Sequence, residues 1–411
     1  MFCRYRKINI LKHISIDYKK YLIVYIERNF MKKKNDEEKL NIAMIGHKRI
    51  PSREGGVEVV VEELSTRIIK MGHNVTCLNR RGHHVSGKSF NNSDIKEYKG
   101  VRIKNVWAID KKGLAALTSS FLGSIIAAFS NYDVVHFHAE GPCAVILIPK
   151  LFGKKCVATI HGLDHKCPKW KGFAKKYIIF GEKCAAKYAD EVIVLSKGVK
   201  KYFKDTYGRE TILIPNGITR PKIIPAKEIC NIYGLKNSEY ILYLGRLVEG
   251  KGIEYLIEAF SRVKTNKKLV IAGGASDSDK FVNELKRLAK KDERIIFTGF
   301  VQGEILNELY SNAYVYTLPS DSEGMPLSLL EAMSYGNCCL VSNIPECIDV
   351  IEDKGVIFEQ KNIDDLYKKL QILCDSREIV DQYRKVASDY ICKKYDWDDI
   401  VKRTLECYIK K

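Results

Sequence analysis

The sequence predicts an α/β protein of two Rossmann-like domains, each a parallel sheet covered by helices on both faces, set around a cleft. Three observations carry this. Short apolar runs alternate with longer helical patterns, the signature of strand–helix–strand units. The alternation breaks at Pro215-Asn-Gly217, with Pro221 and Pro225 close behind, and then restarts. The length, 411 residues with 45% hydrophobic content, is enough to bury two cores.

Taken in order, the first-half strand runs are 41–45, 75–78, 101–106, 134–137, 156–160 and 192–195. The most apolar helical run, 114–129, is interrupted by Thr118, Ser119, Ser120, Gly123 and Ser124. It falls short of the roughly 20 residues that cross a bilayer, and reads as a packed helix. A linker is expected near 215–238. The second half gives strands at 241–244, 269–272, 295–297, 314–318, 338–341 and 356–358, then a helical tail over about 363–410. The expected divisions are an extension at 1–39 outside the fold, domains at 40–218 and 219–392, and a terminal helix at 393–411. Residues 1–30 mix basic residues with Ile and Tyr and lack the apolar core of a signal peptide. Met31 is the expected translation start; peptides upstream of it in a mass spectrum of the native protein would contradict that.

The formal charge of +19 suits nucleic acid, an anionic membrane face or phosphate-rich substrates. No helix-turn-helix or aromatic-bearing basic sheet is recognisable, so nucleic acid is not an expected partner. Basic residues crowd between Lys166 and Lys204, among Trp170, Phe173, Tyr177, Ile178, Ile179 and Phe180. That stretch can rest on anionic lipid, or pack its apolar face on its own sheet. Thirteen cysteines without a C-x-x-C pair fit a reduced cytoplasm and give no zinc spacing.

The string Asp321-Ser-Glu-Gly-Met-Pro-Leu-Ser-Leu-Leu-Glu-Ala-Met333 separates Glu323 and Glu331 by seven residues. Gly324 allows a tight turn, and Pro326 suits the start of a helix. Glu323 therefore falls at a strand's carboxyl end and Glu331 in the second helical turn. Carboxylates there face the crevice where open α/β sheets bind ligands, and can accept hydrogen bonds from sugar hydroxyls. An ordinary surface helix also favours Glu near its start.

Other constellations sit at comparable junctions. His47 to Glu58 forms a loop with Gly55-Gly56 before a helix, where backbone can approach an anion. The loop is too long for a dinucleotide fingerprint. In Tyr243-Leu-Gly-Arg-Leu-Val-Glu-Gly-Lys-Gly252, Arg246 and Lys251 can neutralise a diphosphate leaving group. All nine histidines precede residue 166; His136 and His138 end one strand, and His161 and His165 follow another. Imidazoles with Asp164 would also make conceivable metal ligands. Asp277-Ser-Asp279, after Gly273-Gly274, reads as a helix cap. No obligatory metal or other cofactor is expected.

The Glu323–Glu331 string resembles the E-x7-E signature of the retaining glycosyltransferases of group 1 (family four), which adopt the GT-B fold. Thr159-Ile-His161-Gly resembles the family's T-x-H-G segment, Ile214-Pro-Asn-Gly-Ile218 its interdomain segment, and the matches keep the family's order from Gly55 to about Trp397. Met325 stands where the family often has Phe. The resemblance implies a metal-independent transferase with the acceptor on the first domain and a sugar-nucleotide donor on the second. It implies catalytic roles for His161, Glu323, Arg246 and Lys251. It implies donor contacts at Gly55, Gly56, Arg246, Lys251, Glu323, Gly324, Met325, Pro326, Leu327 and Glu331, and puts Gly56 and His138 on the acceptor side. In the family the last helix crosses back to the first domain, where Trp397 can anchor it. Similarity to capsular and O-antigen enzymes implies a saccharide or polyprenyl-linked acceptor at the inner membrane face. Two rivals share part of the pattern: a nucleotide-sugar epimerase or other GT-B enzyme, and an NAD(P)-dependent oxidoreductase.

Overall fold

The computed structural model describes residues 39–82, 95–109, 111, 113–166, 170–274 and 279–410, so the expectations for the extension, Met31 and the Asp277 cap lie outside the described residues. In the first domain the strands are β1 (Asn41–Ile45), β2 (Asn74–Arg80), β3 (Glu97–Tyr98), β4 (Val101–Val106), β5 (Val134–His138), β6 (Lys155–Ile160), β7 (Glu191–Val194) and β8 (Ile212–Leu213). The second domain has β9 (Tyr240–Leu244), β10 (Lys268–Ala272), β11 (Ile295–Gly299), β12 (Val315–Leu318), β13 (Cys338–Ser342) and β14 (Val356–Phe358). The central strands are mostly apolar because helices cover both faces: β1, β5, β12 and β13 are almost wholly buried, the histidines of β5 included.

Among the described residues the first sheet runs β3-β4-β2-β1-β5-β6-β7-β8 and the second β11-β10-β9-β12-β13-β14. Every pairing is parallel except β3 with β4. In each sheet the order reverses at one place, between β1 and β5 in the first and between β9 and β12 in the second. Loops leaving adjacent strands at such a reversal turn to opposite faces and open a crevice at the carboxyl ends. The fold thus provides two crevices, and the motifs fall in them.

Two crossings join the domains side by side. Ile218 donates its N–H to the Tyr395 carbonyl (2.7 Å), and the Trp397 indole, 4% exposed, packs on Gly217. Asp396 caps the helix Trp397–Ile409, its Oδ1 accepting from the N–H of Asp398 (2.9 Å) and Asp399 (3.2 Å). That helix packs on the helix Gly56–Lys70 and on β6 of the first domain. Its Tyr408 hydroxyl meets His136 Nδ1 at 2.6 Å.

The structure departs from the sequence reading in small elements. β3 and β8, two residues each, carry too little pattern to be read. The expected linker 215–238 contains a short helix, Glu228–Tyr233, held by Glu308, which accepts from the N–H groups of Lys227 and Ile229 (both 2.9 Å). The basic helix Gly172–Tyr188 does pack on its own domain through Ile178, Cys184 and Ala185. It still leaves Phe173 79% and Phe180 54% exposed.

Candidate active site

The first crevice is built by the ends of β1, β5 and β6. β1 gives way to a loop and then to the helix Gly56–Lys70, for which Gly55 is the N-cap. Glu58, in its first turn, reaches back to accept the Lys48 N–H (2.8 Å) and so fixes the loop's path. His138 ends β5 and His161 follows β6, which places the His138 Nδ1 3.1 Å from the His161 Nε2. Behind them His136 bonds the Thr159 hydroxyl (2.7 Å) as well as Tyr408. Burial lowers the His161 pKa to about 4 despite the pull of Glu58, lowers His136 to about 3, and holds His138 well below its usual value. These are neutral imidazoles near pH 7, able to donate or accept hydrogen bonds without adding charge. His138 is fully buried and its Nε2 has no partner among the described residues, so it meets the crevice through His161.

The second crevice lies between β9 and β12. Arg246 follows β9; its carbonyl accepts from the Tyr243 hydroxyl (3.2 Å), while its exposed guanidinium makes no ion pair or hydrogen bond with a described residue. Lys251 opens the turn into the helix Ile253–Arg262. Gly252 there has φ +65°, and a Cβ on it would stand 2.0 Å from the Pro319 carbonyl oxygen. That close approach brings Lys251 to the end of β12, where its Nζ donates to Glu323 Oε1 at 2.5 Å. The Ser320 hydroxyl donates to the same oxygen at 2.7 Å, leaving Oε2 without a hydrogen-bond partner among the described residues. The pair is only 18% and 11% exposed, so each charge depends on the other for compensation. Glu331, in the helix Leu327–Ser334, accepts from the Tyr310 hydroxyl at Oε2 (3.0 Å) and from Arg53 Nη1 at Oε1 (2.8 Å).

The segment 324–327 faces the other domain. A Cβ on Gly324 would lie 1.7 Å from the His161 carbonyl oxygen, and the Gly324 Cα sits 3.1 Å from a Cβ built on Gly162. Leu327 Cδ1 is 3.3 Å from a Cβ built on Gly56. Met325 Sδ accepts the Asn216 N–H at 3.0 Å, a contact a phenylalanine could not make. Pro326 caps the helix rather than opening it. The cleft is therefore closed over His161, with both glutamates on its second-domain wall.

The structure brings His161, Gly56, Lys251, Glu323 and Glu331 onto facing walls of one cleft. It also brings in residues that the sequence reading did not single out: Arg53, Tyr310, Ser320 and Asn216. Arg53 had a local signal, as a cation two residues before Gly55-Gly56, and Asn216 lies in the Ile214-Pro-Asn-Gly-Ile218 segment; Tyr310 and Ser320 had none. Among the described residues no cluster of three metal-ligating side chains forms.

Two facing sheets with reversal points opening on one cleft define the GT-B class, and solved structures agree. Sucrose-phosphate synthase from Thermosynechococcus elongatus is 20% identical with a TM-score of 0.75, covering 90% of this chain and 98% of its own. Anabaena HepE in complex with UDP-glucose is 16% identical with a TM-score of 0.73, covering 89% and 98%. Two family models match: Glycosyltransferase Family 4 over residues 54–220 and Glycosyl transferases group 1 over 227–403. An Escherichia coli UDP-Gal:alpha-D-GlcNAc-diphosphoundecaprenol alpha-1,3-galactosyltransferase is 31% identical over 273 residues, 60% of this chain and 67% of its own. An uncharacterized glycosyltransferase of Methanocaldococcus jannaschii is 26% identical over 395 residues, 90% and 98%. The chain belongs to the group 1 glycosyltransferases, and it has relatives in O-antigen biosynthesis.

Proposed function

We propose that this glycosyltransferase moves a hexosyl or deoxyhexosyl group from a uridine diphosphate sugar to a saccharide or polyprenyl diphosphate-linked acceptor, with retention and without an obligatory metal, in bacterial surface polysaccharide synthesis. The observation that carries it is the pair of carboxylates at the β9/β12 reversal, with Lys251 on Glu323 and His161 opposite. Glu331 would bind the ribose, Arg246 and Lys251 the diphosphate, and Glu323 Oε2 the sugar hydroxyls. The neutral His161 would hydrogen-bond the sugar at the reaction centre. The bond from the anomeric carbon to phosphate breaks as the bond to the acceptor oxygen forms on the same face, and the acceptor proton passes to the leaving phosphate. The two cations stabilise the charge that grows there. The uridine choice follows the donors named for HepE and the E. coli relative.

The acceptor class follows that relative and a surface of the first domain. The helices Leu114–Phe129, Leu147–Leu151 and Gly172–Tyr188 are neighbours. They expose Phe129 (72%), Leu151 (74%), Phe173 and Phe180 beside the exposed Lys175, Lys176 and Lys183, while the one acid of the last helix, Glu182, is buried. Aromatics interleaved with lysines that pair with no acid among the described residues suit an anionic bilayer surface, on which the enzyme would sit peripherally at the cytoplasmic face. No described helix is long and apolar enough to cross a membrane.

The test is transfer from UDP-sugars to a polyprenyl diphosphate-linked saccharide in EDTA, with the product anomer read by NMR. Retained configuration and undiminished turnover support the proposal. Inverted product, or turnover only with added divalent metal, would overturn the corresponding part.

A further inference from the structure

We infer that Arg53 is a positioning residue of the donor site, holding the Glu331 carboxylate for the ribose from across the cleft so that nucleotide binding and domain closure reinforce each other. This rests on the ribose role proposed for Glu331. Arg53 belongs to the loop after β1, on the first domain, whereas Glu331 lies on a helix of the second. Their 2.8 Å contact therefore exists only when the domains are together. The other donor, Tyr310, comes from Glu331's own domain and holds Oε2 whether the cleft is open or shut.

A carboxylate offers about four lone-pair positions. Arg53 and Tyr310 fill one on each oxygen, which leaves one on each for the two vicinal hydroxyls of a ribose. The arginine and the sugar can thus bind together rather than compete. The setting favours this. Burial works against the Arg53 charge, but Glu331, Glu62 and Glu63 outweigh it, and the guanidinium stays charged. Glu331 is 19% exposed, shielded enough for the contact to matter, while Arg53 at 42% keeps one side open to the cleft. Gly324 against His161 and Leu327 against Gly56 set the spacing of these same two walls. Closure that seats those contacts also seats the ion pair.

The test is calorimetric binding of UDP and 2′-deoxy-UDP to the wild type, Arg53→Gln, Arg53→Lys and Glu331→Gln. The wild type should prefer UDP. Arg53→Gln should weaken UDP about tenfold, the size of one charge-assisted hydrogen bond, and 2′-deoxy-UDP by less than about threefold, with partial recovery in Arg53→Lys. UDP should compact the wild type in small-angle scattering more than it compacts Arg53→Gln. Tighter or unchanged UDP binding in Arg53→Gln, or equal losses for both nucleotides, would overturn the inference. A separate pattern marks failure of the ribose reading itself: a wild type that does not distinguish the two nucleotides, and Glu331→Gln binding UDP normally. That pattern removes the inference with it.

Discussion

Gly324 lacks a side chain for a reason that lies in the other domain, since any Cβ there would strike the His161 carbonyl oxygen. Gly324→Ala should therefore leave the second domain folded but keep the cleft ajar. We expect kcat/KM to fall by about 100-fold, the scale of a misplaced catalytic wall, with little change in Tm; near-normal turnover would contradict the closed geometry. The two cations separate in the same way. Lys251 is mostly enclosed and bound to Glu323, so Lys251→Met should lower both turnover and stability, because it strands a shielded carboxylate. Arg246 is exposed and makes no ion pair with a described residue, so Arg246→Met should lower turnover alone. Urea unfolding beside steady-state kinetics distinguishes the two, and equal stability losses would refute the assignment. At this scale the sequence was informative where signals were local. Glu323, Gly324, Pro326 and Glu331 lie within one strand-to-helix turn and announce themselves by spacing. Arg53 meets Glu331 across 278 positions, and no short pattern records such a meeting.

At the scale of elements, the helix Trp397–Ile409 belongs by sequence to the second domain and by packing to the first. Trp397 rests on Gly217, and Tyr408 reaches His136 beneath the site. Trp397→Ala should cost about 3–5 kcal/mol, the usual range for a buried tryptophan; a loss under about 1 kcal/mol in urea unfolding would show that the crossing is not anchored there. The histidines behind the crevice give the protein an acid sensitivity. His47 and His161 are lowered to about 4 and His136 to about 3, against 6.5 for the free side chain. The unfolded chain then binds more protons than the folded one below pH 6.5. Their contribution is complete above that value and is lost as the pH falls toward 4 and 3. At about 1.4 kcal/mol per pKa unit, stability should drop by about 3–5 kcal/mol per histidine over that window, and His136→Gln should flatten the slope of urea midpoint against pH. An unchanged slope would rule His136 out as a source. The long strands were legible because both faces are buried and their runs are unbroken. β3 and β8 were not, since two edge residues are set by their neighbours rather than by their own pattern.

The whole molecule is two sheets whose order reversals face one another, and the candidate site residues sit where both crevices meet. That arrangement could be anticipated from the alternation of elements and the Pro-Asn-Gly break, because it depends on pattern rather than on particular contacts. The degree of closure could not, because it is set by glycine-to-backbone approaches between distant segments. The outer face of the first domain adds its own expectation. The protein should sediment with vesicles containing anionic lipid, less with zwitterionic ones and less at high salt, and Phe173→Ser with Phe180→Ser should weaken the binding. Equal binding to both vesicle types, or none, would contradict a basic–aromatic docking face. The second crevice should hold a sugar nucleotide. Calorimetric binding to uridine, guanosine and thymidine diphosphate sugars in EDTA, with NAD and NADP as controls and Glu331→Ala as a second protein, tests this. Selective binding of a uridine diphosphate sugar, lost in Glu331→Ala, is the expected result. Absence of any sugar-nucleotide binding, or a response confined to NAD or NADP, would contradict it.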